Sequence, residues 1–246
     1  MFPIRDHNPS EQTPYVTYVI IAINVAVFAW QELFVTGIPA SNQFLIDYAF
    51  WPVLFDDGQG TLGFFTHMFL HAGFMHLEGN MLFLWIFGDN MEEEMGHLPF
   101  LGFYILSGFA AAYLQYLPNA LSAVPMVGAS GAIAGVMGGY LLLFPKARVD
   151  VFIFFVIFFR ILPIPSFIVL GLWMGLQVFN GLGSDLNGGG TAYWAHVGGF
   201  VAGFVMTVPV WLRRGATRYW DRTEGHPPHP ETHYPKSSVP LIRRQK

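Results

Sequence analysis

The 246-residue chain contains no cysteine. Disulfides, thiolate metal ligands and cysteine nucleophiles are therefore excluded. Charge is scarce as well: 11% of residues are Asp, Glu, Lys or Arg and 53% are hydrophobic, whereas soluble domains carry about 25% charged residues. Water is not the main solvent of such a chain. The formal net charge of −4 averages over regions with different roles and points to no nucleic-acid partner. No H-E-x-x-H occurs, and no metal or other cofactor is expected. The opening MFPIRDHNPSEQTP is polar with both signs of charge, which does not read as a cleavable signal peptide, so the first apolar segment is expected to be retained.

What the chain has in abundance is long apolar runs. A helix needs about 20 mostly apolar residues to cross hydrocarbon, and the stretches 15–36, 98–117, 124–144, 163–182 and 192–212 meet that need. A sixth, 72–88, is interrupted by His76, Glu78 and Asn80. Residues 151–162 are intensely apolar but too short, and Pro163 and Pro165 follow them, which suggests an interfacial or re-entrant segment. Lys and Arg concentrate in cytoplasmic loops. Arg5 precedes the first span, Lys146, Arg148 and Arg160 lie between the fourth and fifth, and the remaining eight basic residues follow the sixth. Six spans with both termini cytoplasmic place every basic residue on one side. The expectation is an all-α polytopic membrane protein: a cytoplasmic segment 1–14, a six-helix membrane domain 15–212 and a tail 213–246. The tail, rich in Pro, His and Arg, is expected to be disordered, with His226, His229 and His233 solvated. The external connection 37–65 is rich in aromatics and is read as lying in the membrane interface.

Polar groups inside a span are costly and are functional candidates for that reason. Ser130, in Gly128-Ala129-Ser130-Gly131, lies about five residues, or roughly 7 Å, into the fourth span at 1.5 Å rise per residue. His196 lies near the start of the sixth, and His76 and Asn80 share one face near the start of the second. Spans two, four and six run in the same direction, so the four residues fall in one layer beneath the outer surface. A serine hydroxyl needs a base before it attacks, and imidazole suits that task near neutrality. Ser130 is the candidate nucleophile and His196 the candidate base. His76, Asn80 and the Ser130 amide are candidate donors to the oxyanion. Glu78, two residues from His76, points to another face, and no carboxylate at this depth sits beside His196, so the reading is a dyad, with Asp185 in the preceding loop the residual candidate for a third member. His67 and His71 read as interfacial or structural, and the acidic run Glu92–Glu94 as capping or solvating the loop near Pro99. The repeats Gly131, Gly135, Gly139 and Ala195, Gly199, Gly203 follow the small-xxx-small pattern of close helix approach.

Three motifs, His67-x3-His71-x4-His76-x3-Asn80, Gly128-Ala-Ser130-Gly131 and Ala195-His196-Val-Gly-Gly199, resemble those of the rhomboid family of intramembrane serine proteases, over about residues 1–214. The resemblance implies a six-helix bundle, a Ser130–His196 dyad in a cavity open to the outer face, and oxyanion donors at His76 and Asn80. It also implies transmembrane protein substrates within the lipid bilayer, a gate involving the fifth helix and the loop Gly181–Gly190, and for this chain the bacterial plasma membrane. Three positions depart from the family pattern: Pro52 follows Trp51, Ala134 stands where some members stack an aromatic on the histidine, and Glu94 stands where a basic residue is common. The competing reading is a non-catalytic relative that binds transmembrane segments. A transporter would predict charges along a pathway or an inverted repeat, and neither is evident.

Overall fold

The computed structural model describes residues 2–56, 58–118, 120–155, 158–184 and 190–232. The chain opens with strand β1 (Phe2–Asp6) and helix α1 (Tyr15–Phe34). Three short helices follow, α2 (Ile38–Tyr48), α3 (Pro52–Phe55) and α4 (Gly63–Thr66), and then the long helices α5 (Phe74–Met95) and α6 (His97–Tyr116). Helix α7 (Ser130–Leu143) leads to strands β2 (Arg148–Phe155) and β3 (Phe158–Pro165). Helices α8 (Ser166–Gly183), α9 (Tyr193–Arg214) and α10 (Thr217–Thr223) complete the described elements. Four of these helices, α1, α6, α8 and α9, are long and apolar enough to cross a membrane. The protein is a predominantly helical integral membrane protein.

Helix α7 sits at the centre. It is apolar around its whole circumference, and every residue from Gly131 to Leu143 except Leu141 is buried, as expected of a helix with no face to spare for solvent. Helix α8 is the opposite case. Leu172, Phe179 and Leu182 are 64%, 74% and 74% exposed, an outward apolar face that only lipid would cover. Helix α5 carries polar groups at both ends, and in the acidic run at its C-terminal end Glu92 and Glu94 are buried, with Glu92 capping α1 rather than the loop near Pro99. Glu92 accepts the backbone N–H groups of Val16 and Thr17 at 2.9 and 2.8 Å and the Thr17 hydroxyl at 2.8 Å. A carboxylate there satisfies the orphan donors of the first turn of α1 and complements its dipole. Glu94 pairs with Arg214 of α9 at 2.9 Å.

The structure departs from the sequence expectations in three places. Residues 124–129, expected inside the fourth span, precede the helix: Met126 exchanges backbone hydrogen bonds with Phe50, and Gly128 has φ +126°, so α7 begins at Ser130. The 151–162 run, read as interfacial or re-entrant, contributes to strands β2 and β3, and β1 pairs antiparallel with β2 to give a sheet ordered β1-β2-β3, so the protein is not all-α. An apolar β-branched and aromatic run satisfies a strand as well as a helix when only its hydropathy is read. The 37–65 connection, whose shape the sequence left open, folds into α2–α4 around Phe50, which is fully buried against Phe55, Phe64 and Met126. Finally, the tail as far as Thr232 is ordered. Tyr219 is 1% exposed with its hydroxyl on Glu94 at 3.2 Å, and Trp220 donates its indole N–H to Leu142 O at 2.9 Å. Two aromatics anchor a segment whose average composition reads as disordered. His229 lies 3.2 Å from Asn90 Oδ1 and 3.4 Å from Glu93. His233 lies outside the described residues.

The sheet, the α7–α8 connection and the ordered tail gather at one end of the bundle. Arg5 Nε and His7 Nε2 both lie 2.7 Å from Asp150, and Thr232 donates its N–H to His7 O at 2.6 Å. Burial alone would raise the Asp150 pKa, but the hydrogen bonds from His7 and Arg5 outweigh it and hold the carboxyl below its usual range. At the opposite end stand the first residues of α5, α7 and α9.

Candidate active site

Helices α7 and α9 meet backbone to backbone because both lack side chains along their shared seam. A Cβ built on Gly199 would sit 1.9 Å from Gly131 O, and one on Gly203 would sit 2.0 Å from Gly135 O. Nothing larger than glycine fits that separation. The seam therefore fixes how close the first turns of the two helices come, and those turns carry Ser130 and His196. The Ser130 hydroxyl lies 2.8 Å from His196 Nε2. The pair thus meets at hydrogen-bond distance, although 66 residues separate it in sequence.

Ser130 is the first residue of α7 rather than one already a turn inside it. Two consequences follow from that position. First-turn N–H groups of a helix find no acceptor within the helix, and the positive end of its dipole lies there. Both would favour negative charge forming at the serine. Gly128 holds the approach: its N–H donates to His67 O at 2.9 Å, and the His67 ring places Nδ1 3.0 Å from Gly63 O. Burial brings the His67 pKa down to about 4, so this ring stays neutral. A side chain at Gly128 would come within 2.8 Å of the His76 ring and 3.6 Å of Ser130 Oγ. Glycine at 128 is required both by its positive φ and by the imidazole packed against it.

His76 and Asn80 reach the same cavity from α5. The cavity encloses about 930 Å³ and is lined by His76, Asn80, Ser130, Trp173 and His196 among others. Asn80 is 8% exposed and its Nδ2 has no hydrogen-bond partner among the described residues. A buried donor left without an acceptor is costly unless something arrives to take it. An anionic oxygen formed on a carbonyl attacked by Ser130 would be such an acceptor. His71 is buried beside His76, ring centroids 5.2 Å apart, with neither ring nitrogen hydrogen-bonded among the described residues. Glu78 is exposed and lies outside the cavity lining.

Two residues of α8 complete the surroundings of His196, and neither was singled out from sequence. Trp173 stands beside the ring at 5.6 Å between centroids, tilted by 35°. Gln177, one turn further on, places Oε1 2.8 Å from His196 Nδ1. The aromatic support missing at Ala134 thus comes from a different helix. A signal existed: Gln177 is one of two amides, with Asn180, in an apolar span, the same kind of anomaly that marked Asn80. Asp185, the residual candidate for a third member, lies outside the described residues. On α9, Ala195 donates its N–H to Gln115 Oε1 of α6 at 3.1 Å, which ties the first turn of the helix to its neighbour.

The family model described as Rhomboid domain matches residues 59–213. Among curated proteins, the chain is 33% identical over 194 residues to Rhomboid protein 1, mitochondrial, of Saccharomyces cerevisiae, covering 76% of this chain and 50% of that protein. It is 28% identical over 222 residues to RHOMBOID-like protein 1 of Arabidopsis thaliana, covering 78% and 52%. With Rhomboid protease GluP of Bacillus subtilis it shares 28% identity over 210 residues, covering 81% and 35%. The chain spans about half the length of these relatives, or less.

Proposed function

The chain belongs to the rhomboid family, and from that premise we propose that it is an intramembrane serine endopeptidase cleaving transmembrane protein substrates. The observation that carries this reading is the 2.8 Å approach of Ser130 Oγ to His196 Nε2. In the mechanism that follows, His196 Nε2 takes the hydroxyl proton as Ser130 attacks the scissile carbonyl, and then returns it to the leaving amine. The oxyanion is met by Asn80 Nδ2, His76 and the free amides of the first turn of α7. Water then hydrolyses the acyl-enzyme, again with His196 as base.

The topology proposed is six spans, formed by α1, α5, α6, α7, α8 and α9, with both termini cytoplasmic. Helix α7 supports the placement of the site. Its 14 residues rise about 21 Å, about 9 Å less than a hydrocarbon core. A helix that starts below the outer surface leaves its N-terminal serine in a recess that water can fill from outside. The membrane proposed is the bacterial plasma membrane, with the cavity opening to the outer face. Cleavage of a panel of tagged type I transmembrane segments in liposomes tests the activity. Wild type should cleave at least one, and Ser130→Ala and His196→Ala should cleave none while melting at the wild-type temperature. Undiminished cleavage by either variant would sink the mechanism, and a wild type inert on every segment would favour the non-catalytic, segment-binding alternative.

A further inference from the structure

A two-residue dyad leaves one matter open: what holds the imidazole in the tautomer that a base requires. Nε2 serves as base only if it carries a lone pair toward Ser130, and then Nδ1 must carry the hydrogen. The surroundings of Nδ1 decide this. Gln177 is 8% exposed and lies on α8 with its amide beside the ring. Its Nε2 donates to Trp173 O, one turn back, at 3.3 Å. That bond assigns the amide orientation and turns Oε1 toward His196 Nδ1, 2.8 Å away. A carbonyl oxygen only accepts. The hydrogen is therefore on Nδ1, and the Nε2 lone pair faces the serine hydroxyl.

We propose that Gln177 is the positioning residue of this site, a neutral third member that fixes the tautomer and the ring plane of His196 through Nδ1–H···Oε1, with Trp173 restraining the ring from the side. The inference rests on the proteolytic reading of Ser130 and His196. No proton passes to Gln177: the hydroxyl proton goes to Nε2, and Nδ1–H stays donated throughout. Because α8 supplies both the amide and the indole, the base is aligned from a helix other than its own.

The test uses the full chain in liposomes and measures kcat and KM separately for Gln177→Leu, Gln177→Met and Gln177→Glu, with Ser130→Ala as the blank. Leu and Met nearly conserve volume, but Leu accepts no hydrogen bond and the Met sulfur only a weak one, so kcat should fall about 10- to 100-fold, the scale of one lost orienting bond, with KM within about twofold. Glu restores an acceptor at the same place and should retain turnover at least tenfold above Leu. Melting temperatures accompany each variant. Leu and Met variants that fold and turn over like wild type overturn the inference, as does a Glu variant that is folded but no better than Leu. In those cases Ser130→Ala is still inactive and the protease reading stands. Cleavage by Ser130→Ala marks failure of that reading instead.

Discussion

Gly199→Ala is the sharpest probe of how the site is assembled, because it adds one methyl group at the narrowest point of the α7–α9 seam. The new Cβ would start 1.9 Å from Gly131 O, and ordinary contact begins at 3.4 Å. The obstacle is main chain, which cannot swing aside as a flexible side chain would, so the helices must separate by about 1.5 Å. His196 is one turn from Gly199, and the same displacement takes the Ser130–His196 separation from 2.8 Å to about 4 Å, beyond hydrogen-bond range. A misplacement of about 1 Å can cost about 10²-fold in rate, and overpacking a tight core costs about 1–3 kcal/mol. Turnover of a tagged transmembrane substrate should therefore fall about 10²-fold or more, together with a lower melting temperature in detergent. Gly171→Ala is the control: nothing lies within 4 Å of its would-be Cβ, and replacing a helical glycine there should be neutral or stabilise by up to about 1 kcal/mol. A Gly199→Ala protein with wild-type melting and wild-type turnover would refute the claim that the glycine seam sets the distance between serine and histidine.

Two further outcomes are expected elsewhere. Asn80→Leu removes a buried donor that has no partner among the described residues, so the melting temperature should hold or rise while turnover falls about 10²-fold, the scale of one lost oxyanion donor; lower melting with unchanged turnover would make Asn80 structural. For Asp150, the folded pKa lies below its unfolded value because the bonds from His7 and Arg5 outweigh burial. Its contribution to stability is therefore present above the unfolded value of about 3.9 and is lost as pH falls through the lower folded value. Asp150→Asn should weaken the acid-side decline in melting temperature, and an identical decline in both proteins would remove Asp150 as its cause.

The individual polar residues were legible in the chain because each was an anomaly against an apolar background. Ser130, His196, His76 and Asn80 needed no structure to be noticed, and neither did the glycine repeats. Gln177 carried the same kind of anomaly, but its role depends on the His196 ring, which only the packing of α8 on α9 brings to it. The helix start at Ser130 was hidden as well: hydropathy is indifferent to whether residues 124–129 are helical or extended, whereas the left-handed Gly128 and the bridge from Met126 to Phe50 settle it.

Composition along the sequence determined the solvent, the approximate position of each membrane-length run, and the polar side chains that must find partners inside. Those are properties of single segments, set by transfer energies that depend on the residues alone. Tertiary structure decided everything that depends on two segments meeting. It brought Ser130 to 2.8 Å from His196, set Gln177 behind the ring and left Asn80 Nδ2 without a partner among the described residues. It also folded an apolar run into a hairpin because β1 was there to pair with it, and it ordered a polar tail because Tyr219 and Trp220 found places to bury. Distances between segments come from packing, and here from two glycine stripes narrow enough for one backbone to rest on another.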